Sequence, residues 1–139
     1  MVEIVWYVGI ELLTIPIILG GIGYGPIFGF LLGFIIDKVF DVLRILVAPP
    51  VTTRVTPLIP TFGSLILGII GALAGVFGYF IPFVDLVLYL TIIKNVMFVF
   101  KELFMKRTPF VAANLLNIPF NYFLAVILWK VGLLKLLGI

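Results

Sequence analysis

Gly20-Gly21-Ile22-Gly23-Tyr24-Gly25-Pro26 opens the stretch on which the fold turns, and Gly75-Val76-Phe77-Gly78-Tyr79, with Pro82 just beyond, repeats its outline. After the first passage the chain runs mainly apolar to Ile36 and closes on Asp37-Lys38-Val39-Phe40-Asp41-Val42-Leu43-Arg44. After the second it runs mainly apolar to Ile93 and closes on Lys94-Asn95-Val96-Met97-Phe98-Val99-Phe100-Lys101. Ile36, Val39, Val42, Arg44 and Leu46 then fall opposite Ile93, Val96, Val99, Lys101 and Leu103, with one-residue slips near the proline and before the isoleucine. Aliphatic matches are common in so apolar a chain. The Gly-x-x-Gly-Tyr with a following proline, and a basic residue at the same later place, carry the case for a duplicated helical hairpin. Chance likeness between two apolar hairpins is the competing account.

Of the 139 residues, 64% are hydrophobic and 11% charged, and the mean hydropathy is +1.40. An ordinary soluble domain carries about 25% charged residues. The outside of this single domain must therefore face lipid or more protein. No histidine and no cysteine is present, which removes disulfides, thiolate chemistry, the usual zinc ligands and the commonest proton shuttle. Glu3 with no Lys or Arg beside it argues against a cleaved signal peptide.

The pattern predicts an all-α chain. A first hairpin spans 3–47, a Pro-rich linker 48–60, a second hairpin 61–107, and a C-terminal helical segment 110–138. The first helix reads as 3–19, with Glu11 inside its apolar run. Gly20 to Gly25 read as a tight turn, because glycine tolerates the backbone angles at which helices stop. Pro26 suits the first turn of the next helix, about 26–47. There Gly25, Gly29 and Gly33 recur every four residues, a doubled Gly-x-x-x-Gly that lets backbones approach. Asp37, Lys38, Asp41 and Arg44 share one polar arc. The linker holds four prolines with Thr52, Thr53, Arg54 and Thr56, a composition that favours an extended path. The third helix, about 61–80, carries Ser64, Gly68, Gly71, Gly75 and Gly78 on one packing stripe. The fourth, about 83–106, carries Lys94, Asn95, Lys101, Glu102 and Lys106 on a polar arc. Pro119 is expected to break or kink the last segment, leaving 120–137 as a fifth helix.

Two environments fit these helices. In a bilayer, Arg44, Arg54, Lys101, Lys106 and Arg107 gather at one end, opposite the turns, as cytoplasmic ends do. Lys130 and Lys135 count mildly against that topology. Asp37 and Lys94 then fall near mid-helix, where a charge costs about 2.5–3.5 kcal/mol on insertion scales. Their equivalent positions and opposite signs predict a buried Asp37–Lys94 ion pair. In the second environment, copies of the chain replace lipid and interlock into a tube or sheet. A wall bearing Arg44, Arg54, Lys94, Lys101, Lys106 and Arg107 then neutralises DNA phosphates without reading sequence. Anionic lipid head groups are the alternative partner for these six.

The doubled hairpin, with Gly20, Gly23, Tyr24 and Pro26 matched by Gly75, Gly78, Tyr79 and Pro82, resembles the major coat proteins of spindle-shaped archaeal viruses, especially the large tailed ones. The resemblance covers roughly residues 3 to 107 and rests on size, hydrophobicity and the repeat. It implies a virion coat protein that polymerises with itself around DNA. The segment after Pro109 lies outside what it explains.

No catalytic constellation stands out. Ser64 and the threonines have no histidine partner, and Gly-x-x-Gly-Tyr lacks the Lys-Ser/Thr ending of a phosphate loop. No metal-binding pattern and no cofactor are expected. The mid-helix charges, the repeat and the missing active-site residues favour the coat protein. A small polytopic membrane protein (channel, transporter or accessory subunit) is the alternative.

Overall fold

The computed structural model describes residues 2–47, 61–105 and 111–138, with side chains at 12–40, 42, 43, 46, 61–105 and 115–138. Six helices follow one another: α1 (Val2–Tyr24), α2 (Pro26–Val47), α3 (Phe62–Phe77), α4 (Phe83–Phe104), α5 (Val111–Val131) and the single turn α6 (Leu133–Leu136). Among the described residues there is no strand, and the fold class is all-α. The linker with Arg54, and Lys106 and Arg107, lie outside the described residues. So do the side chains of Glu11, Asp41 and Arg44.

The first turn is tighter than the sequence suggests. Gly20, Gly21 and Gly23 stay helical, and Gly25 alone links α1 to α2, at φ +93°. That angle is strained for any residue with a Cβ. The other glycines serve packing instead. At the second turn α3 stops at Phe77, and Gly78 caps it by donating its N–H to the Ala74 carbonyl at 2.8 Å. The two copies of the glycine motif thus fold differently, although Tyr24 and Tyr79 are equally exposed, at 77%.

The most extensive contact joins α2 to α3, across the linker rather than within either hairpin. Glycines explain it. A Cβ on Gly29 would lie against the Gly71 carbonyl, one on Gly33 against the Leu67 carbonyl, and one on Gly75 against Pro26. The order of these contacts makes α2 and α3 antiparallel. Gly21 of α1 enters at the same level, where a Cβ would strike the Gly71 carbonyl. Three backbones therefore meet around Gly21, Gly29 and Gly71. Gly68 lies under the ring and carbonyl of Phe30.

Against this unit α4 packs on α3, and α5 packs on α4 and α1. One apolar cluster joins Ile15, Ile18, Ile70, Ala74, Phe83 and Leu86 to Ala125 and Leu134. A second holds Leu13, Ile17 and Leu67. Thr61 caps α3 in a reciprocal box with Ser64: the Ser64 N–H donates to Thr61 Oγ1 at 3.3 Å, and the Thr61 N–H to Ser64 Oγ at 3.4 Å. Pro119 does not end the last segment. It sits inside α5 with its ring exposed, as Pro16 does in α1. Gly132, at φ +74°, ends α5 instead.

Gly71→Ala should destabilise the bundle by about 1–3 kcal/mol, because carbonyl oxygen rather than a movable side chain fills the space. Val76→Ala, on the exposed face of the same helix, should change stability by about 0.5 kcal/mol or less. Thermal unfolding of the purified variants by circular dichroism measures both.

Candidate functional site

Polarity is partly inverted in this molecule: polar groups lie within an otherwise apolar core, and Asp85, Lys130 and Lys135 are the exposed charges among the described side chains. Thr14, Ser64, Thr91, Lys94, Asn95, Asn117 and Asn121 are buried. The outer face of α2 exposes Ile27, Leu31, Ile35, Val39, Val42 and Leu46, an apolar stripe along the whole helix. α4 exposes Ile92, Val96, Phe100 and Leu103, and α5 exposes Leu116, Phe120, Phe123 and Ile127. Large apolar side chains on the surface outnumber those in the core among the described residues.

Lys94 is the centre of the interior. Its side chain is 1% exposed, and its Nζ donates to Thr14 Oγ1 of α1 at 2.7 Å. Thr91, Lys94 and Asn95 sit three and four residues apart, on the buried face of α4. Asn117 and Asn121 share the buried face of α5. Asn95 also borders a cavity of about 310 Å³ against Leu115 and Ile118 of α5. Buried polar groups are costly unless hydrogen-bonded, and the Lys94–Thr14 bond ties this face of α4 to α1.

Asp37 forms the second polar contact between helices. Ser64 Oγ donates to Asp37 Oδ2 at 2.5 Å, and Lys38 Nζ stands 3.5 Å from the same oxygen. The carboxylate thereby meets the N-terminal turn of α3, where the helix dipole favours negative charge. The expected Asp37–Lys94 pair is therefore corrected: Asp37 binds Ser64 and Lys38, while Lys94 binds Thr14. The reason is level. Antiparallel packing carries Asp37 beyond Gly33 and Leu67 to the start of α3, whereas Lys94 faces the middle of α1. Equivalence within the repeat does not bring the two residues together.

The proposed basic wall is also changed. Lys94 faces inward and cannot meet a polyanion. Lys101 is half-buried, its Nζ 5.0 Å from the Phe98 ring centroid, close to the N-terminus of α3 at Gly63. The side chain of Arg44, and Arg54, Lys106 and Arg107 altogether, lie outside the described residues. Thr14 escaped the sequence reading because a lone threonine in an apolar helix carries no signal. The polar spacing on α4 did mark the face that would need a partner.

Chemically, both contacts are fastenings between helices. Thr14→Val should cost about 1.5–3 kcal/mol, the worth of a hydrogen bond to a charged group. In a double-mutant cycle with Lys94→Met the two losses should be clearly non-additive. Asp37→Asn should likewise couple to Ser64→Ala, whereas exchanging the charges of Asp37 and Lys94 should recover no stability. Unfolding midpoints of the purified variants measure all of these.

No family model matches the chain, and no curated protein and no solved structure matches it, so its function has to be argued from this inverted interior and its apolar exterior.

Proposed function

We propose that the chain is a small polytopic integral membrane protein, acting as an accessory or scaffolding subunit through its helix faces. The observation that carries the reading is the partial inversion: Lys94 and its polar neighbours lie inside, while the exposed faces of α2, α4 and α5 are mostly apolar, with Asp85 and Lys130 exposed near the ends of α4 and α5. Ionisable residues within membrane helices face the bundle interior in this way, and small residues at helix contacts are how such helices approach. Mid-helix charge no longer argues against a bilayer. Asp37 and Lys94 reach other helices, and the exposed apolar residues of α2 run from Ile27 to Leu46, about 28 Å at helical rise.

The two ends of the bundle differ as membrane faces do. Tyr24, Tyr79 and Trp129 are exposed near the ends of α1, α3 and α5, where aromatic residues favour the interface. Lys101 lies at the opposite end, whereas Lys130 and Lys135 follow Trp129 at the aromatic end. By length and composition one helix among the described residues, Phe83–Phe104, is long and apolar enough to cross a membrane. Leu12–Tyr24, Phe62–Phe77 and Leu115–Val131 are apolar but shorter. The reading therefore rests on the inverted surface more than on helix length.

A second reading, the virion coat protein around DNA, has one observation in its favour. From Asp37 at the Ser64 contact to Tyr24 the bundle measures about 20 Å along α2, against about 30 Å for a bilayer core. Copies of the chain would cover α2 as well as lipid does. DNA would then meet Lys101, Arg44, Arg54, Lys106 and Arg107, but not Lys94.

The chain has no cysteine, so single cysteines report topology cleanly. After expression in cells, the protein should stay with membranes through an alkaline wash and leave in detergent as a small particle. Tyr79→Cys and Thr53→Cys should react with an impermeant maleimide from opposite sides of sealed vesicles. Filaments or tubes by negative-stain microscopy, with detergent unnecessary, would support the coat reading instead.

A further inference from the structure

A trough of about 580 Å³ opens between the start of α3 and the end of α4. That volume lies within the range of about 300–1,000 Å³ typical of small-molecule sites. Phe62, Leu65, Ile69, Met97, Phe100 and Phe104 line it, and among the described residues Lys101 is the one charged residue on its wall. Ile69 lies seven residues beyond Phe62 on α3, so the trough extends about 10 Å along the bundle. Among the described residues no carboxylate comes within 4.0 Å of the Lys101 ammonium. Its contact is the face of Phe98, which steers the cation without neutralising it.

We propose that this trough seats one acyl chain of an anionic phospholipid, with the lipid phosphate on Lys101. The proposal rests on the membrane reading. Its basis is the pairing of an apolar channel with a cation that meets no carboxylate among the described residues, the same two features that a phospholipid presents in the same order. A second copy of the chain fits less well. In a symmetric pair the same patch meets itself, and each copy would bring its own Lys101 to the same rim, like charge against like. A zwitterionic lipid would fill the trough but add its own cation beside Lys101. The long stem of Lys101 packs along the apolar wall while its ammonium reaches the head-group level, as lysines near helix ends do.

Native mass spectrometry of the detergent-purified full chain, titrated with phosphatidylglycerol or phosphatidylcholine, tests this. The wild type should hold one phosphatidylglycerol preferentially. Lys101→Gln should weaken that binding about five-fold, the effect of one basic contact with an anionic head group, and bring it to the level of phosphatidylcholine. Lys101→Arg should keep the preference, and Ile69→Trp, which fills the trough floor, should weaken both lipids. Equal binding of the two lipids by the wild type would overturn the proposal, as would a preference that survives Lys101→Gln. Displacement of the lipid by inorganic phosphate alone would also overturn it, because the acyl chain would then contribute nothing. Each of these failures leaves membrane retention intact. Loss of membrane retention in the wild type would instead remove the reading beneath.

Discussion

Gly29 and Gly71 bring the backbones of α2 and α3 into direct contact, with Gly21 of α1 at the same level. Nothing larger than hydrogen fits at these positions, and the other helices are arranged around that approach. Glycine costs about 1 kcal/mol per residue in helix propensity against alanine, so three helices rich in glycine would be poor helices alone. Close packing over an extended contact offsets that cost. Where lipid or another copy covers the outside, apolar burial gives little preference among helix pairings. Shape then decides which helices meet, and the glycine surfaces provide it.

Shape alone leaves freedom to slide, since apolar contact is nearly non-directional. Two polar contacts remove that freedom at different levels. Asp37 on Ser64 fastens α2 to the first turn of α3, and Lys94 on Thr14 fastens α4 to α1. A shift of α4 by one turn would strand the buried Lys94 ammonium, which costs far more than the apolar packing lost or gained, and a shift of α2 would part the half-buried Asp37 from Ser64. The glycines therefore set which helices are neighbours, and the polar pairs set their register. Charges that look misplaced in a greasy sequence are the parts that make its packing unique.

Much of this was legible in the residues. Pro26 marks the start of α2 and the linker prolines mark its end, so 26–47 reads directly as Pro26–Val47. The stripe from Ser64 to Gly75 reads as a packing face because glycine and serine recur there at helical spacing, and those residues are buried. Other features had two readings that sequence could not separate. Gly20, Gly21 and Gly23 suit either a turn or a close helix contact, and packing on α3 decided for the contact at Gly21. Pro119 ends a helix in water more readily than within a bundle, where neighbouring helices hold the flanking turns. The partners of Asp37 and Lys94 depend on which helices pack, and the repeat pointed to the wrong pairing. Hairpins were read as units, yet the tightest contact lies between them.

Inversion also changes what the charges imply about environment. A charge near the middle of an apolar helix argues against a bilayer only if it faces outward. Burial of Lys94 among Thr14, Thr91 and Asn95 reverses the inference, because the same residue that would oppose insertion on the surface becomes an interior fastening. The outer stripe of α2 carries the consequence: among the described side chains, Val39, Val42 and Leu46 continue it past Asp37. The direction in which a charge points therefore matters more than its place along the helix: among the described side chains the buried Lys94 and the half-buried Asp37 reach other helices, whereas Asp85, Lys130 and Lys135 are exposed near helix ends.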